Sequence, residues 1–178
     1  MSNKIIDKLK FLGCFNQISI FINKLCSAIC ILLGLSLVAI ITLEVFFRYV
    51  LNNALSWPEE IAGFMFVWFS MLGAAICLFK GTHIKVTFVV THFNQKVQYY
   101  LKTFVHLLVI LFSYILVERG YSLLHIVSMQ VSPAAQINMV WEYSAIPITG
   151  AIFIFYSIVS ILNNLLTGND SIRGDLKP

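Results

Sequence analysis

Four apolar runs, at about 25–47, 57–79, 99–127 and 140–166, dominate this sequence and leave only short polar connections between them. A helix needs about 20 predominantly apolar residues to cross a ~30 Å hydrocarbon core, and each run is long enough. Lipid offers no partner to backbone amides, so such runs must be helices that close their hydrogen bonds internally. Composition matters here for one exclusion. Only 11% of the 178 residues are charged and 59% are apolar, whereas soluble domains carry roughly 25% charged residues. No soluble core could conceal that surface. The formal charge of +4 comes from lysines flanking the runs rather than from one basic face, so it does not point to nucleic acid. The expectation is an all-α integral membrane protein with a single four-helix membrane domain over 1–167.

Orientation follows from the basic residues, which favour the cytoplasmic side of short loops. Lys4, Lys8, Lys10, Lys24, Lys80, Lys85, Lys96, Lys102, Arg173 and Lys177 fall on one side of the four spans, and only Arg48 and the embedded Arg119 lie toward the other. Both termini are expected in the cytoplasm, with 168–178 as a polar cytoplasmic tail. Before the first span, Ile5, Leu9 and Leu12 share a helical face away from Lys4, Asp7 and Lys8. That pattern predicts a short amphipathic interfacial helix with its lysines toward lipid headgroups. A secretory signal is the alternative, but the following run is too long and no cleavage pattern stands out.

Between the first two spans lies Arg48-Tyr-Val-Leu-Asn-Asn-Ala-Leu-Ser-Trp-Pro-Glu-Glu60. Ser56 and Glu59 have the spacing of a capping box, Pro58 fits a first helical turn, and Glu59 and Glu60 suit the positive end of the helix dipole. The second helix should therefore begin near Trp57. Glu44 lies four residues before Arg48, within pairing distance on one helical face. Along the second span Gly63, Ser70, Ala74 and Cys77 form a stripe of small residues that would let another helix approach closely. Lys80 and Gly81 mark its end.

The third span, from about 95 to 129, is longer than a bilayer needs and should tilt or project. The fourth carries Trp141 and Tyr143 as an aromatic belt, and Pro147, which removes a backbone donor and predicts a kink. Four ionisable groups, Glu44, Arg48, Glu118 and Arg119, fall at similar depth toward the outer leaflet, where charge is costly. Two arrangements relieve that cost. The first and third helices could be neighbours, an acid of one pairing a base of the other. Alternatively the acids pair within their own helices and the arginines reach the headgroups.

Candidate catalytic chemistry is sparse. No phosphate loop, nucleophile elbow or zinc-protease pattern occurs. Cys14, Cys26, Cys30 and Cys77 read as small hydrophobes, with Cys26 and Cys30 one turn apart on a packing face. His106 and His125 share one helix and cannot clamp a haem between helices, although a homodimer mate could supply a second ligand for a b-type cytochrome-like subunit. His83 reads either as a proton relay or ligand, or as an interfacial loop residue. A self-sufficient, homo-oligomeric carrier is the other alternative, but only one broken segment, Pro147 to Gly150, is present where two are usual. No cofactor is expected.

Three stretches in order carry a resemblance: Arg48-Tyr49, Asn52, Trp57 and Glu59-Glu60; Leu72-Gly-Ala-Ala followed by Lys80-Gly-Thr-His-Ile-Lys-Val86; and Ser132-Pro-Ala134 with Tyr143-Ser-Ala-Ile-Pro-Ile-Thr-Gly150. Together they resemble the small membrane subunit, DctQ type, of tripartite ATP-independent periplasmic (TRAP) transporters. The resemblance implies a non-catalytic inner-membrane subunit in a sodium-driven system for an organic anion, of the sialic acid or C4-dicarboxylate class. It further implies two partners: a large membrane subunit that carries substrate and sodium, and a periplasmic substrate-binding protein. In that setting Trp57, Glu59, Glu60, the Gly63–Cys77 stripe, His83 and Pro147 are the candidate partner interface.

Overall fold

The computed structural model describes residues 2–81 and 95–174, with side chains over 13–81 and 100–165. His83 and the Thr82-to-Val86 part of the second family-like stretch lie outside the described residues. Five helices follow in order: α1 (Ser2–Tyr49), α2 (Trp57–Phe79), α3 (Gln95–Val127), the single turn α4 (Val140–Tyr143) and α5 (Ala145–Gly174). Four segments within them are long and apolar enough to cross a membrane: Gly13–Tyr49, Trp57–Phe79, Tyr100–Val127 and Val140–Leu165. With four crossings the start of α1 and the end of α5 lie at one end of the bundle, here called proximal; the loops after α1 and α3 lie at the distal end.

α1 is one unbroken helix of 48 residues, about 72 Å at ~1.5 Å per residue. Residues 2–12 run into the first span without a break in the helix, and 2–49 contains no proline to open the hydrogen-bond ladder. The helix ends where Asn52 takes a left-handed conformation, φ 48°, which asparagine tolerates better than most residues. That reversal lets the Asn53 amide close the Phe47 carbonyl at 3.1 Å.

α2 starts at Trp57, as its sequence predicts, but without the capping box. Ser56 lies in the right-handed region and its side chain makes no capping bond, whereas a cap normally sits in the β-region with its oxygen on an amide one turn on. Gly81, φ +66°, ends α2 and donates its amide to Leu78 at 3.1 Å.

α1 packs on α2, α3 on α5, and α5 joins the two pairs by contacting α2 and, more lightly, α1. The core lies at that junction: Ala75 and Leu78 of α2 meet Phe153 and Tyr156 of α5, flanked by Ile22 of α1 and Val109 of α3. Small residues set the closest approaches. A Cβ on Gly34 would stand 3.2 Å from the Phe69 ring, and one turn earlier Cys30 Sγ reaches the Phe69 carbonyl at 3.7 Å. The packing face expected at Cys26 and Cys30 is therefore real, with Cys26 buried. Between α3 and α5, a Cβ on Gly150 would lie 2.9 Å from Val117 Cγ2 and 3.2 Å from the Ser113 carbonyl oxygen. On Gly120 it would lie 2.9 Å from Pro147 Cδ. Pro147 thus does more than kink a helix. Its missing N–H leaves the Tyr143 carbonyl without a helical donor, so the helix breaks at Ser144 into α4 and α5, and its ring seats on Gly120.

Candidate functional site

The distal end gathers two of the family-like stretches. Between α3 and α4 the chain makes a compact loop with one antiparallel bridge, Val131 to Asn138. Ser132 donates its amide to Ile137 at 2.9 Å, and the Gln136 amide returns to the Ser132 carbonyl at 3.1 Å. Gln136 takes the left-handed turn position, φ 54°. Asn138 closes the loop at both ends: its Nδ2 donates to the Ser128 carbonyl at 2.8 Å and its Oδ1 accepts from the Val140 amide at 2.9 Å.

This turn leaves the consecutive amides of Ala134 and Ala135 pointing outward from Ser132-Pro-Ala-Ala, and Glu60 of α2 fills them. Ala134 N–H donates to both carboxylate oxygens, at 3.1 and 3.0 Å, and Ala135 N–H donates to Oε2 at 2.8 Å. Two successive amides converging on one anion form a small backbone nest, and bonds to an ionised acceptor are roughly twice as strong as neutral ones. The carboxylate also lies in the first turn of α2, at the positive end of its dipole. Irregular backbone near a membrane is tolerated where protein satisfies it; here one side chain does so. Two turns further along α2, Trp68 Nε1 donates to the Trp141 carbonyl at 2.8 Å, so α2 is also fastened to α4, just beyond the loop.

The adjacent glutamates therefore separate in role. Glu60 is turned into the fold, while Glu59 and Trp57 are exposed. Pro58 between them is fully buried.

The four charged residues do not assemble into one cluster. Glu44 and Arg48 pair one turn apart on α1, the within-helix alternative. Glu118 and Arg119 are exposed on α3. α1 and α3 share at most marginal contact, because α1 lies along α2 and α5 occupies the space between. Among the described residues Glu44–Arg48 is the single ion pair, so the interhelical pairing expected from depth alone does not form.

On α2 the small-residue stripe splits as well. Ala74 is half-buried against the core. Gly63, Ser70 and Cys77 are exposed, and a Cβ on Gly63 would meet nothing within 4 Å. Leu72, Ala75 and Leu78 take the opposite, buried side. Within the stripe, Ala74 helps close the chain on itself, while Gly63 and Ser70 stay exposed.

Sequence reasoning singled out Glu60 and Ser132-Pro-Ala134 separately and missed that one holds the other. It also missed a polar layer near the proximal end. The signal was available, since Asn16, Asn163, Asn164 and His106 interrupt apolar stretches. His106, which the sequence offers as a haem-ligand candidate, has its Nε2 hydrogen-bonded to Ser160 Oγ at 2.8 Å.

Comparison with known proteins agrees with this architecture. The family model for the DctQ component of tripartite ATP-independent periplasmic transporters matches residues 37–167, a stretch that holds the Glu44–Arg48 pair, the Glu60 nest and the Gly120–Pro147 seat. A putative TRAP transporter small permease protein of Haemophilus influenzae is 26% identical over 157 residues, covering 88% of this chain and 96% of its own. The sialic acid TRAP transporter small permease protein SiaQ of Vibrio cholerae is 23% identical over 158 residues, covering 84% and 88%. The sialic acid TRAP transporter permease protein SiaT of another Haemophilus influenzae strain is 26% identical over 148 residues, or 83% of this chain. The match spans about a quarter of that longer protein, 24%. The chain therefore belongs to the DctQ family of TRAP transporter components, and is a multi-pass protein of the bacterial inner membrane and not an enzyme.

Proposed function

We propose that this chain is the small permease subunit of a sodium-driven TRAP transporter that imports an organic anion of the sialic acid or C4-dicarboxylate class. The large membrane subunit carries substrate and sodium. This chain braces it, and its distal end presents a fixed surface to the periplasmic binding protein. The observation that carries the reading is the two-sided character of α2. One side, with Leu72, Ala75 and Leu78, is committed to the core, while the other exposes Gly63 and Ser70, with open space beside Gly63. In lipid, helices associate through close packing of such small residues rather than through hydrophobic force. The sialic acid systems named for two relatives support the substrate class. The basic-residue asymmetry supports an orientation with both termini in the cytoplasm.

Reconstitution tests the reading. This chain together with its large subunit and binding protein should take up substrate into liposomes only under an inward sodium gradient, and this chain alone should neither bind nor transport it. Saturable uptake by the chain alone would overturn the bracing role. In a cysteine-free background, single cysteines at Asn53 or Gln136 should label from outside the cell and one at Lys177 should not; the reverse pattern would invert the orientation.

A further inference from the structure

Away from the distal site, six polar side chains meet where three helices run past the end of α2. The Phe79 ring, in the last residue of α2, lies 5.2 Å from the Tyr156 ring. Ser160, Asn163 and Asn164 follow one to two turns further along α5. There Asn16 of α1 and Asn163 exchange amide hydrogen bonds, Asn163 Nδ2 to Asn16 Oδ1 at 2.8 Å and Asn16 Nδ2 to Asn163 Oδ1 at 3.4 Å. Asn164 Nδ2 donates to Thr103 Oγ1 of α3 at 3.0 Å. His106 of α3, only 6% exposed, bonds Ser160 at 2.8 Å. Phe15 stacks on Phe155 beside the asparagine pair, their ring centroids 6.1 Å apart.

What this layer adds follows from the aliphatic character of most of α1. Ile29, Ile31, Leu32 and Leu35 are exposed, while the chemically similar Leu37 is buried. Turning α1 by one residue would lose the Cys30 and Gly34 contacts with Phe69 but elsewhere exchange one aliphatic side chain for another, and lipid tails are as apolar as leucine, so burial alone discriminates weakly between the settings. The half-buried asparagine pair discriminates better: its four polar groups satisfy one another in one setting and lose those partners in others. A single buried asparagine fixing the register of packed helices is the best-attested use of such residues.

We propose that the Asn16–Asn163 pair, supported by Thr103–Asn164 and His106–Ser160, is a register lock that fixes the rotation of α1 against the α3–α5 pair. Because α1 is unbroken, the lock also sets the direction in which Glu44 and Arg48 face, 28 to 32 residues farther along the same helix. Asn16 and Asn163 are positioning residues, and their role is independent of which substrate the complex carries.

Thiol cross-linking with a bifunctional reagent long enough to replace two stacked rings, in the full-length chain in membranes with the four native cysteines replaced by alanine, tests this. Phe15→Cys with Phe155→Cys should cross-link, and Ile18→Cys with Phe155→Cys should not, since Ile18 is exposed. Asn16→Leu with Asn163→Leu removes both amides without leaving one unpaired, so the chain should still fold. Its 15–155 cross-link should fall by about threefold, the average size of an interhelical polar coupling in membranes, while the 18–155 product appears. Asn16→Gln, which keeps an amide, should retain the single 15–155 product. If the double variant does not accumulate, Asn163→Ala is read in the same way, because the other two pairs still hold α3 to α5. An unchanged cross-link pattern in either variant overturns the lock. So does the same redistribution in Asn16→Gln, which would make side-chain volume the determinant.

Discussion

The two ends of the bundle are fastened by opposite chemistry. At the distal end a carboxylate, Glu60, holds two backbone amides of a loop. At the proximal end neutral side chains hold one another across α1, α3 and α5. The difference follows from what has to be satisfied. Distally the open groups are the amides of a tight turn, which concentrate positive potential and take an anion at a helix start. Proximally they are largely half-buried side chains between helices whose own backbones are complete. A charge there would carry a desolvation cost that amides and hydroxyls avoid. The distal fastening shapes a surface; the proximal one selects a packing.

The largest effect should come from breaking the crossing on which both ends rest. Gly150→Leu would drive side-chain atoms into Val117 and the Ser113 carbonyl, and overpacking of this kind costs about 1–3 kcal/mol. Thermal unfolding in detergent should fall accordingly, with hydrogen exchange rising at both ends. Exchange rising at one end alone would show that α3–α5 is not their common support.

Asn163→Leu should act at the proximal end only. Interhelical polar contacts in membranes average about 0.6 kcal/mol and reach about 1.7, so a loss in that range is expected. The exchange rates of the Ala134 and Ala135 amides should not change. A change at those two amides would mean that the ends are coupled.

Glu60→Gln should produce the converse pattern. It keeps one carbonyl acceptor but loses the charge, so Ala134 and Ala135 should exchange faster while global unfolding moves little. If those amides stay protected, the turn holds itself through Ser132, Gln136 and Asn138, and Glu60 is incidental.

The smallest structural effect should come from the neighbouring Glu59→Gln, an exposed change expected within about 0.5 kcal/mol. Its use is as a contrast. If the distal surface meets a partner, transport by the reconstituted complex should drop while subunit abundance does not. Unchanged transport would leave Glu59 as a helix-dipole residue only.

Much of this architecture is legible in residue order. Each apolar run is long enough to cross a membrane, and a backbone that cannot bond to lipid must coil into helices there. The start of α2 at Trp57 and its stop at Gly81 follow from local chemistry, proline near the start and glycine at a left-handed position. The packing role of Cys26 and Cys30 follows from one-turn spacing. The nature of the chain as a transport component, not an enzyme, was readable from its ordered family-like stretches.

Pairing between helices was not legible, because hydrophobic runs specify that helices insert and say little about which faces meet. Depth alone placed Glu44, Arg48, Glu118 and Arg119 together, yet α5 separates α1 from α3 and Arg48 takes the acid on its own helix. Spacing alone gave Ser56 and Glu59 a capping box, yet the backbone at Ser56 turns the wrong way for one. Glu60 and Ala134 lie 74 residues apart, and Asn16 and Asn163 lie 147 apart. No local rule joins residues at such separations. The sequence determined by itself that this chain crosses the membrane as helices, since that requirement acts on each segment alone. Only the tertiary structure decided which polar groups close the two ends, since a hydrogen bond between distant helices exists only once their positions and rotations are set.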